Sequence, residues 1–577
     1  MITRHHGKTI HVRLLGGVLA ALGALLGTQA LAASMPAYQP VTQARLLHAQ
    51  HDPGWLMYRR AYNGQGYAPF SQIDPANVSK LKIAFTYKTG LKQGHEAAPI
   101  VNGRYMFITT PLDHVIALDA ETGKVLWKYQ KKLPPATLKT VCCGVVNRGV
   151  ALYGRNVYLT TLDNHVVALH ATTGKVVWDK KLEDAGVGYA MTLAPLVVHG
   201  AVVVGESGGE FGARDFIAAL DSKTGKLLWK RYTVPSPGQP GSDTWPKGNA
   251  YEHGGGPAWI TGTYDPETDT LFWGVGNPAP WLPTNRPGRN LYTDSVLALN
   301  PHNGKIKWYY QYTPHDAWDY DGVNTPVLAD IQYHGRTVKA LLHADRNGWF
   351  YALDRVNGKF LWAKPFTRVN TITSIKADGT PVEDTDRLPA VGKKVFICPS
   401  AFGGKNWWPM SVNPDTGMAY LPTLHVCSEV EGVAVKYKRG MPYFGEKPVW
   451  KHQPGTKDWG EVQAININTG KQVWSHHYEN AWDAGMLSTA SGLVFSGSVD
   501  GHFYAFDGET GKVLWKSPKL SSGIIGVPTT YTVGGHQYVA VYAGFGAVLS
   551  LYAPNLVGET AKHKIPRGGE LYVFRLP

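Results

Sequence analysis

Charged residues are scarce in this chain of 577 residues, at 17% of the total, and its Lys and Arg residues form no long run. The scarcity of charge argues against a disordered chain. The scattered basic residues argue against nucleic-acid binding. After residue 33, no stretch is long and apolar enough to span a membrane. None of the four cysteines begins a C-x-x-C-H motif, which excludes a covalently attached haem.

Glycine, proline and large aromatic residues are abundant instead. The chain has 65 Gly, 38 Pro, 19 Trp and 30 Tyr residues. Gly and Pro are turn residues, and aromatic side chains are enriched in strands. The composition is therefore typical of a turn-rich, all-β protein, a class in which a single domain can be this long.

Residues 1–32 predict a signal peptide. Arg4, Lys8 and Arg13 form a basic region, residues 14–26 an apolar one, and residues 30–32 an A-x-A cleavage site. Thirteen apolar residues are too few for a membrane anchor. We therefore expect a periplasmic protein that begins near Ala33. Cleavage lowers its net charge from +14 to +11, and this basic surface serves either solubility or an acidic protein partner.

An eleven-residue motif recurs along the chain. Its first copy runs from Ala117 to Trp127, and a degraded copy at residues 411–417 brings the number of copies to eight. The other six copies end at Trp178, Trp229, Trp308, Trp362, Trp474 and Trp515. Each copy predicts a strand, a turn and a second strand, with Gly123 or its equivalent at positive φ.

Repeats of this length are typical of propeller blades or linear arrays. Elements such as residues 98–101 and 194–197 predict further strands, giving about four per repeat. A Trp at a fixed place would dock each blade on the next, whereas a linear array would leave an open end. We therefore predict an all-β, eight-bladed β-propeller with tryptophan docking motifs, formed by residues 33–577 as a single domain. Long loops at 235–258 and 367–399 are expected to carry function.

Three carboxylates interleaved with aromatic residues stand out between Thr313 and Gly322. In extended backbone, the side chains of Asp319 and Asp321 would project to the same side. A hard cation with oxygen ligands could join them, because like charges are not buried together without a counter-charge. A solvated acidic loop explains the same residues equally well.

The repeats and five further motifs resemble the quinoprotein alcohol dehydrogenases that use pyrroloquinoline quinone (PQQ). The resemblance runs from about Trp55 to the C-terminus and implies an eight-bladed propeller with the quinone and a metal on its axis. The motifs lie at residues 141–148, 205–211, 254–259, 274–281 and 403–408.

The resemblance implies a quinone site in which Trp259 stacks on one face of the ring. The family often has a hydroxyl residue two positions earlier, where this chain has Pro257, and this puts a hydrogen bond from that position in question. The implied cofactor-binding residues are Glu96, Cys142, Cys143, Arg148, Thr192, Ser207, Gly208, Gly209, Trp259, Arg346, Asn406 and Trp407.

Without the resemblance, the sequence does not decide whether the four cysteines are free thiols or form disulfides. Composition alone favours two buried free thiols at Cys142 and Cys143, because a disulfide between adjacent residues is a rare, strained ring. The resemblance implies such a disulfide against the second face of the quinone. Cys398 and Cys427 would then form an ordinary disulfide, in keeping with an oxidising compartment.

The same resemblance implies a metal held by Glu210, Asn277 and Asp319. Asp319 would also be the catalytic base that takes the alcohol proton as hydride passes to the quinone, and Arg346 would stabilise the developing charge. Calcium-dependent relatives have a small residue at the position of Asp321, whereas lanthanide-dependent relatives have Asp. We therefore predict that Asp321 is a fourth ligand and that the ion is a lanthanide, with Ca²⁺ as the alternative.

The implied activity is the oxidation of primary alcohols to aldehydes. Residues 403–408 look more like the ethanol-type than the methanol-type branch, which suggests a broad range of substrates. Without a haem motif, the electrons would pass to a separate soluble cytochrome c. A non-catalytic propeller that scaffolds the cell envelope is the alternative, and the sequence leaves open whether the protein forms a homodimer.

Overall fold

Strands dominate the structure, a computed structural model that describes residues 37–481, 484–552 and 565–577. The predicted signal peptide lies outside these ranges. Tyr38–Pro577 form one compact unit. Within the described part of the chain, the α-helices are Gln43–Leu47 and Ala547–Tyr552. Short 3-10 helices are Ala49–His51, Val78–Lys80, Pro111–Asp113, Thr137–Lys139, Ala185–Val187, Gly209–Phe211, Ser242–Thr244, Ala250–His253, Pro283–Asn285 and Thr385–Arg387. The prediction of a mostly-β fold is confirmed.

Five four-stranded antiparallel sheets follow one another along the chain. They are the first sheet (Ile100–Asn102, Tyr105–Thr110, His114–Asp119, Val125–Tyr129), the second (Ala151–Tyr153, Asn156–Thr160, His165–His170, Val176–Lys181), the third (Leu196–Val198, Ala201–Gly205, Phe216–Asp221, Leu227–Tyr232), the fourth (Thr263–Asp265, Thr270–Val275, Ser295–Leu299, Ile306–Gln311) and the fifth (Val327–Tyr333, Arg336–Ala344, Trp349–Asp354, Phe360–Pro365).

Two of the remaining large sheets combine strands from both ends of the chain. The sixth sheet consists of Ser411–Asn413, Met418–Leu424, Gly460–Asn466 and Gln472–Tyr478. The seventh consists of Tyr67–Ala68, Leu487–Thr489, Leu493–Gly497, Phe503–Asp507 and Val513–Lys516, and the eighth of Lys82–Lys88, Thr529–Val533, His536–Ala543 and Glu570–Arg575. N-terminal strands therefore pair with C-terminal ones in the last two sheets.

The tryptophan motif builds the last two strands of a sheet. In the first copy Ala117 pairs with Trp127 beside a β-bulge, and Gly123 has the predicted positive φ, at 74°. The indole then lies on the corresponding turn of the next sheet. A methyl group on Gly174 would come within 2.5 Å of the Trp127 ring, and the Trp127 Nε1 donates a hydrogen bond to the Ala171 carbonyl at 2.8 Å.

The degraded motif copy at 411–417 does not form a sheet of its own, which corrects its count as a separate repeat. It is the first turn of the sixth sheet, which also contains the copy that ends at Trp474. The eighth sheet has no copy of the motif. In that sheet Phe85 pairs with Val573 beside a bulge, just as Trp127 pairs with Ala117 in the first sheet. The Phe85 ring lies on Gly123. An aromatic ring from the N-terminal segment thus takes the place of the missing Trp.

Two smaller sheets lie beside the large ones. Ile372–Ile375 pairs with Pro381–Glu383, and Lys394–Ile397 pairs with Val426–Gly432, which in turn pairs with Glu446–His452. The stretch predicted as a long loop at 367–399 therefore contains strands. No helix in the described ranges is both long and apolar enough to cross a bilayer.

Candidate active site

Most of the predicted site residues line one cavity of about 190 Å³. They come from loops between strands: Asp319 and Asp321 lie between the fourth and fifth sheets, and Arg346 lies two residues after the strand Arg336–Ala344 of the fifth. The predicted residues in the cavity wall are Glu96, Cys142, Cys143, Arg148, Thr192, Ser207, Glu210, Trp259, Asp319, Asp321, Arg346, Asn406 and Trp407. Gly208, Gly209 and Asn277 are not in this wall; the two glycines lie between Ser207 and Glu210 in the chain, and the Asn277 N–H donates to Asp321.

The Arg148 guanidinium organises one side of the cavity. Its Nη2 lies 2.8 Å from Glu96 Oε2, and its Nη1 donates to Thr192 Oγ1 at 2.6 Å. Its centre lies 4.7 Å from the ring centre of Trp259 and 4.5 Å from that of Trp407. This side therefore combines a fixed cation, a carboxylate and two flat aromatic surfaces.

The Arg346 guanidinium, also in the cavity wall, joins Asp319 to Asp321. Its Nη1 lies 3.2 Å from Asp319 Oδ2, and its Nη2 lies 2.9 Å from Asp321 Oδ2. It also donates to the carbonyl oxygens of Asp319 and Ala401 and, at 3.4 Å, to Asn406 Oδ1. These contacts fix Arg346 at the two carboxylates that the sequence singled out.

The two carboxylates meet for a reason other than the predicted one. The backbone at Asp319 is left-handed, with a φ of 61°, so the expectation of extended backbone there is wrong. Asp316 holds the turn: its Oδ1 accepts from the N–H of Trp318 at 3.0 Å and its Oδ2 from that of Tyr320 at 3.1 Å. Asp316 thus has a structural role, and the turn aims Asp319 and Asp321 at the cavity.

Asn277 and Glu210 lie beside the carboxylate pair. The Asn277 N–H donates to Asp321 Oδ1 at 2.9 Å, and Trp259 Nε1 donates to Asp321 Oδ2 at 3.1 Å. Gly209 lies close to the Asn277 side chain: a methyl group on Gly209 would come 3.2 Å from Asn277 Oδ1. Asn277 Oδ1 and Asp319 Oδ1 are buried without a hydrogen-bond partner. Two oxygen acceptors are therefore left for an outside group.

Burial strongly perturbs these acids. It raises the pKa of Glu210 to about 7, and the nearby charge of Asp321 adds to the shift. Burial also raises the pKa of Asp319 well above its ordinary value, although the charge of Arg346 opposes the shift. Clustered buried carboxylates of this kind are stabilised by a cation with a preference for oxygen ligands. The unpartnered oxygens and this donor set fit a hard metal ion.

The structure pairs all four cysteines. Cys142 bonds to Cys143, with Cα atoms 3.8 Å apart, and both line the cavity. Cys398 bonds to Cys427 across 29 residues of sequence. The cavity thus offers the Trp259 ring, a vicinal disulfide and the cationic groups of Arg148 and Arg346. This set suits a flat, polyanionic ring such as PQQ, because flat apolar surfaces match its faces and cationic donors match its carboxylates.

Part of the cavity wall consists of residues that were not predicted from the sequence. Phe402 and Trp450 pack with ring centres 4.4 Å apart, and Trp281 and Phe444 with ring centres 4.7 Å apart. Glu446 also lines this wall, and burial raises its pKa well above the ordinary value. Trp281 is the last residue of the 274–281 motif that contains Asn277, so its place in the cavity could have been predicted from that motif. The others lie outside the repeats, and no local pattern marks them.

Comparison with known proteins identifies the class. The family model for the β-propeller domain of PQQ-dependent glucose, ethanol and alcohol dehydrogenases matches residues 55–389 and 383–539. Quinoprotein alcohol dehydrogenase PedH of Pseudomonas putida is 38% identical, with 97% of each chain covered. A lanthanide-dependent methanol dehydrogenase of Methylacidiphilum fumariolicum is 38% identical, also with 97% of each covered.

A solved structure agrees with these matches. A europium-containing methanol dehydrogenase superposes with a TM-score of 0.88 at 37% identity, covering 92% of this chain and 100% of that one. The fold thus matches the β-propeller domain of the PQQ-dependent dehydrogenases. The chain belongs to the family of PQQ-dependent quinoprotein alcohol dehydrogenases.

Proposed function

We propose that this protein oxidises small primary alcohols, over a broad ethanol-type range, to aldehydes at the cavity between Arg148 and Arg346. The observation that carries the proposal is the Asp319 carboxylate: it is buried in the cavity wall, held through Oδ2 by Arg346, and its Oδ1 has no hydrogen-bond partner. A base in this state can accept a proton from a substrate hydroxyl.

Asp319 and Arg346 have different roles at the substrate. The Asp319 carboxylate takes the hydroxyl proton, and the alcohol carbon gives up a hydride, which leaves the aldehyde. PQQ, when bound, supplies the acceptor for that hydride. The Arg346 guanidinium holds Asp319 in place and lies where it can stabilise negative charge that develops nearby.

The remaining predicted residues would hold PQQ. Trp259 and the disulfide of Cys142 and Cys143 offer flat surfaces for its two faces, and Trp407 extends the aromatic side. Glu96, Arg148, Thr192, Ser207, Arg346 and Asn406 offer polar groups around the rim, and Gly208 and Gly209 let the backbone approach. The contacts of Arg148 with Glu96, Thr192 and both Trp rings support this assignment.

Glu210, Asn277, Asp319 and Asp321 would bind one metal ion, which we propose to be a lanthanide. The three carboxylate ligands alone balance a trivalent ion, whereas with Ca²⁺ the site is one unit more negative; Arg346 adds the same positive charge in both cases. The extra negative charge would oppose the arrival of hydride. One similar protein is lanthanide-dependent by name and another is europium-containing, which supports the choice.

We also infer that the eight large sheets close into a propeller. Seven of the eight sheets contact the next through an aromatic ring on a turn glycine: Phe85 on Gly123, Trp127 on Gly174, Trp178 on Gly225, Trp229 on Gly304, Trp308 on Gly358, Trp362 on Gly470 and Trp474 on Gly511. Trp515 of the seventh sheet packs edge-on against Phe574 of the eighth at 5.3 Å. The contacts therefore return to their starting point, as closed packing requires.

Export and electron transfer complete the proposal. The N-terminal segment has the charge and hydropathy of a signal peptide, which supports a periplasmic location. A soluble cytochrome c is the electron acceptor we propose, because the chain has no motif for a haem of its own.

Reconstitution tests the proposed activity. Purified protein loaded with PQQ and La³⁺ should reduce an artificial dye when ethanol is added, and protein with La³⁺ alone should not. Quinone binding is followed separately by absorption. Protein that binds no quinone under these conditions would favour a non-catalytic scaffold instead.

A further inference from the structure

Turns of the third and fourth sheets bring two imidazoles to one carboxylate at the surface, away from the cavity wall described above. His199 lies in a turn of the third sheet, and Asp269 and His302 lie in two turns of the fourth. Both histidines are exposed, and Asp269 is half-buried. The cluster therefore joins neighbouring sheets and is open to solutes.

The geometry of the cluster is that of a small chelating group. His199 Nε2 lies 3.0 Å from Asp269 Oδ1, and His302 Nε2 lies 3.0 Å from Asp269 Oδ2. One ligand atom from each of the three side chains lies within 4.8 Å of the others. The ligands of a tetrahedral zinc ion stand roughly 3.3 Å apart, given metal–ligand bonds near 2.0–2.1 Å. Small side-chain rotations would suffice to reach that arrangement.

The surroundings keep the cluster in place. The two imidazoles stack with ring centres 5.0 Å apart and planes 21° from parallel. The Tyr264 hydroxyl lies 2.8 Å from both His199 Nε2 and Asp269 Oδ1. Lys307 Nζ donates to the Asp269 carbonyl oxygen at 2.8 Å, which fixes the turn from the other side. Positioned ligands of this kind lose little freedom when a metal binds.

We propose that His199, Asp269 and His302 form a second metal site, selective for a divalent transition metal such as Zn²⁺. Two imidazole nitrogens and one carboxylate suit Zn²⁺, Cu²⁺ or Ni²⁺, whereas a lanthanide or Ca²⁺ prefers an all-oxygen set. The site in the cavity, with its carboxylate and amide oxygens, has the opposite preference. A metal here would tie the third sheet to the fourth at their outer turns.

The test is calorimetric titration of tag-free protein with Zn²⁺, after PQQ and La³⁺ have been added in saturating amounts. Wild type should bind about one equivalent, and His302→Ala and His199→Asn should each weaken binding by at least about tenfold, since each removes a direct ligand. Asn is used at position 199 because it tolerates the left-handed φ of 51° there.

His334→Asn is the matched control. His334 is an exposed histidine in a comparable turn of the fifth sheet, with a φ of 49°, and it is not part of the cluster. Its variant should bind Zn²⁺ as wild type does. Titration with Cu²⁺ followed by electron paramagnetic resonance should show nitrogen ligands in wild type and fewer in the two cluster variants.

Two results would overturn the proposal. The first is that wild type binds no Zn²⁺, which would mean that the cluster consists only of two ion pairs between Asp269 and the histidines. The second is that the cluster variants bind as tightly as wild type, so that binding is adventitious. Neither result depends on alcohol oxidation, because binding rather than activity is measured and the variants are compared in the same quinone and La³⁺ solution.

Discussion

The cavity and the repeated turns use the same kinds of side chain in opposite ways. In the turn after the third strand of the third sheet, Asp221 Oδ1 accepts hydrogen bonds from the Thr224 N–H at 2.8 Å and the Thr224 hydroxyl at 2.7 Å. These bonds lower the pKa of Asp221. In the cavity, burial raises the pKa of Asp319, and one of its oxygens has no partner. This turn satisfies its own carboxylate, whereas the cavity leaves a carboxylate oxygen for a ligand.

Tryptophan shows the same contrast. Trp229 in a repeat covers Gly304 and donates to the Pro301 carbonyl at 2.8 Å, so both its face and its N–H are used within the fold. Trp259 also uses its N–H within the fold, on Asp321 Oδ2, but its ring lines the cavity beside Arg148 and, at 5.7 Å, Arg346. Substitutions in the turns should therefore reduce stability, and substitutions in the cavity should reduce activity.

Replacing Asp319 should give the largest change in activity. Asp319→Asn is nearly isosteric but cannot accept the substrate proton, so we expect turnover to fall by about 10²–10⁴-fold. Dye-linked oxidation of ethanol measures turnover, and metal content is measured alongside. The control is Asp221→Asn, which keeps an acceptor oxygen in a turn and should leave turnover unchanged. Near-normal turnover in Asp319→Asn would place the base elsewhere.

Replacing Trp229 should give the largest change in stability. Trp229→Ala removes a largely buried indole, 8% exposed, and should lower the free energy of unfolding by about 3–5 kcal/mol. Trp229→Phe keeps a ring on Gly304 and loses the hydrogen bond, so it should cost about 1 kcal/mol beyond any repacking. Urea unfolding measures both. If turnover falls at 25 °C in the folded Trp229→Ala protein, the separation of turns from cavity fails.

Replacing Asp321 should change the choice of metal. Asp321→Ala leaves two carboxylates, which balance a divalent ion, so the ratio of activity with La³⁺ to activity with Ca²⁺ should fall from above one to below one. The variant also removes an ion pair with Arg346, so the fold is checked by circular dichroism. A wild type equally active with both ions, or a variant that still prefers La³⁺, would remove Asp321 from the selectivity group.

The pH dependence of stability should show a smaller effect. The pKa of Glu210 is raised to about 7, so between pH 4.5 and 7 the folded, metal-free protein holds a proton that the unfolded chain releases. Stability should therefore decrease as pH rises through this window. Thermal unfolding at pH 5 and pH 7.5 measures the decrease, and Glu210→Gln should reduce it. Identical pH profiles for the two proteins would contradict the buried acid at Glu210.

The repeats predicted the sheets well because each copy carries its own turn. Gly123 needs a positive φ and Trp127 needs a partner surface, and both requirements are local in sequence. The eighth sheet escaped prediction because its last strand comes from the other end of the chain and has Phe85 instead of Trp. The predicted count of eight included the degraded copy at 411–417, which belongs to the sixth sheet, and omitted the eighth sheet, which has no copy. The count therefore equals the number of large sheets although the assignment was wrong.

The site was predictable where its motifs are compact and unpredictable where distant segments meet. The spacing of Asp319 and Asp321 drew attention to them, but their approach depends on Asp316 and on Arg346 from another sheet. Glu446 and Trp450 belong to a strand of a small side sheet, and their place in the cavity follows from tertiary packing alone. No short-range pattern in the sequence reports such packing.

The most direct test of the account is a crystal structure of the protein grown with PQQ and La³⁺, with data that record the anomalous scattering of lanthanum. We expect an anomalous peak within bonding distance of Glu210, Asn277, Asp319 and Asp321, and quinone density between Trp259 and the disulfide of Cys142 and Cys143. A lanthanum peak elsewhere, or quinone density outside this cavity, would contradict the claim that the unsatisfied groups of the cavity form the cofactor site.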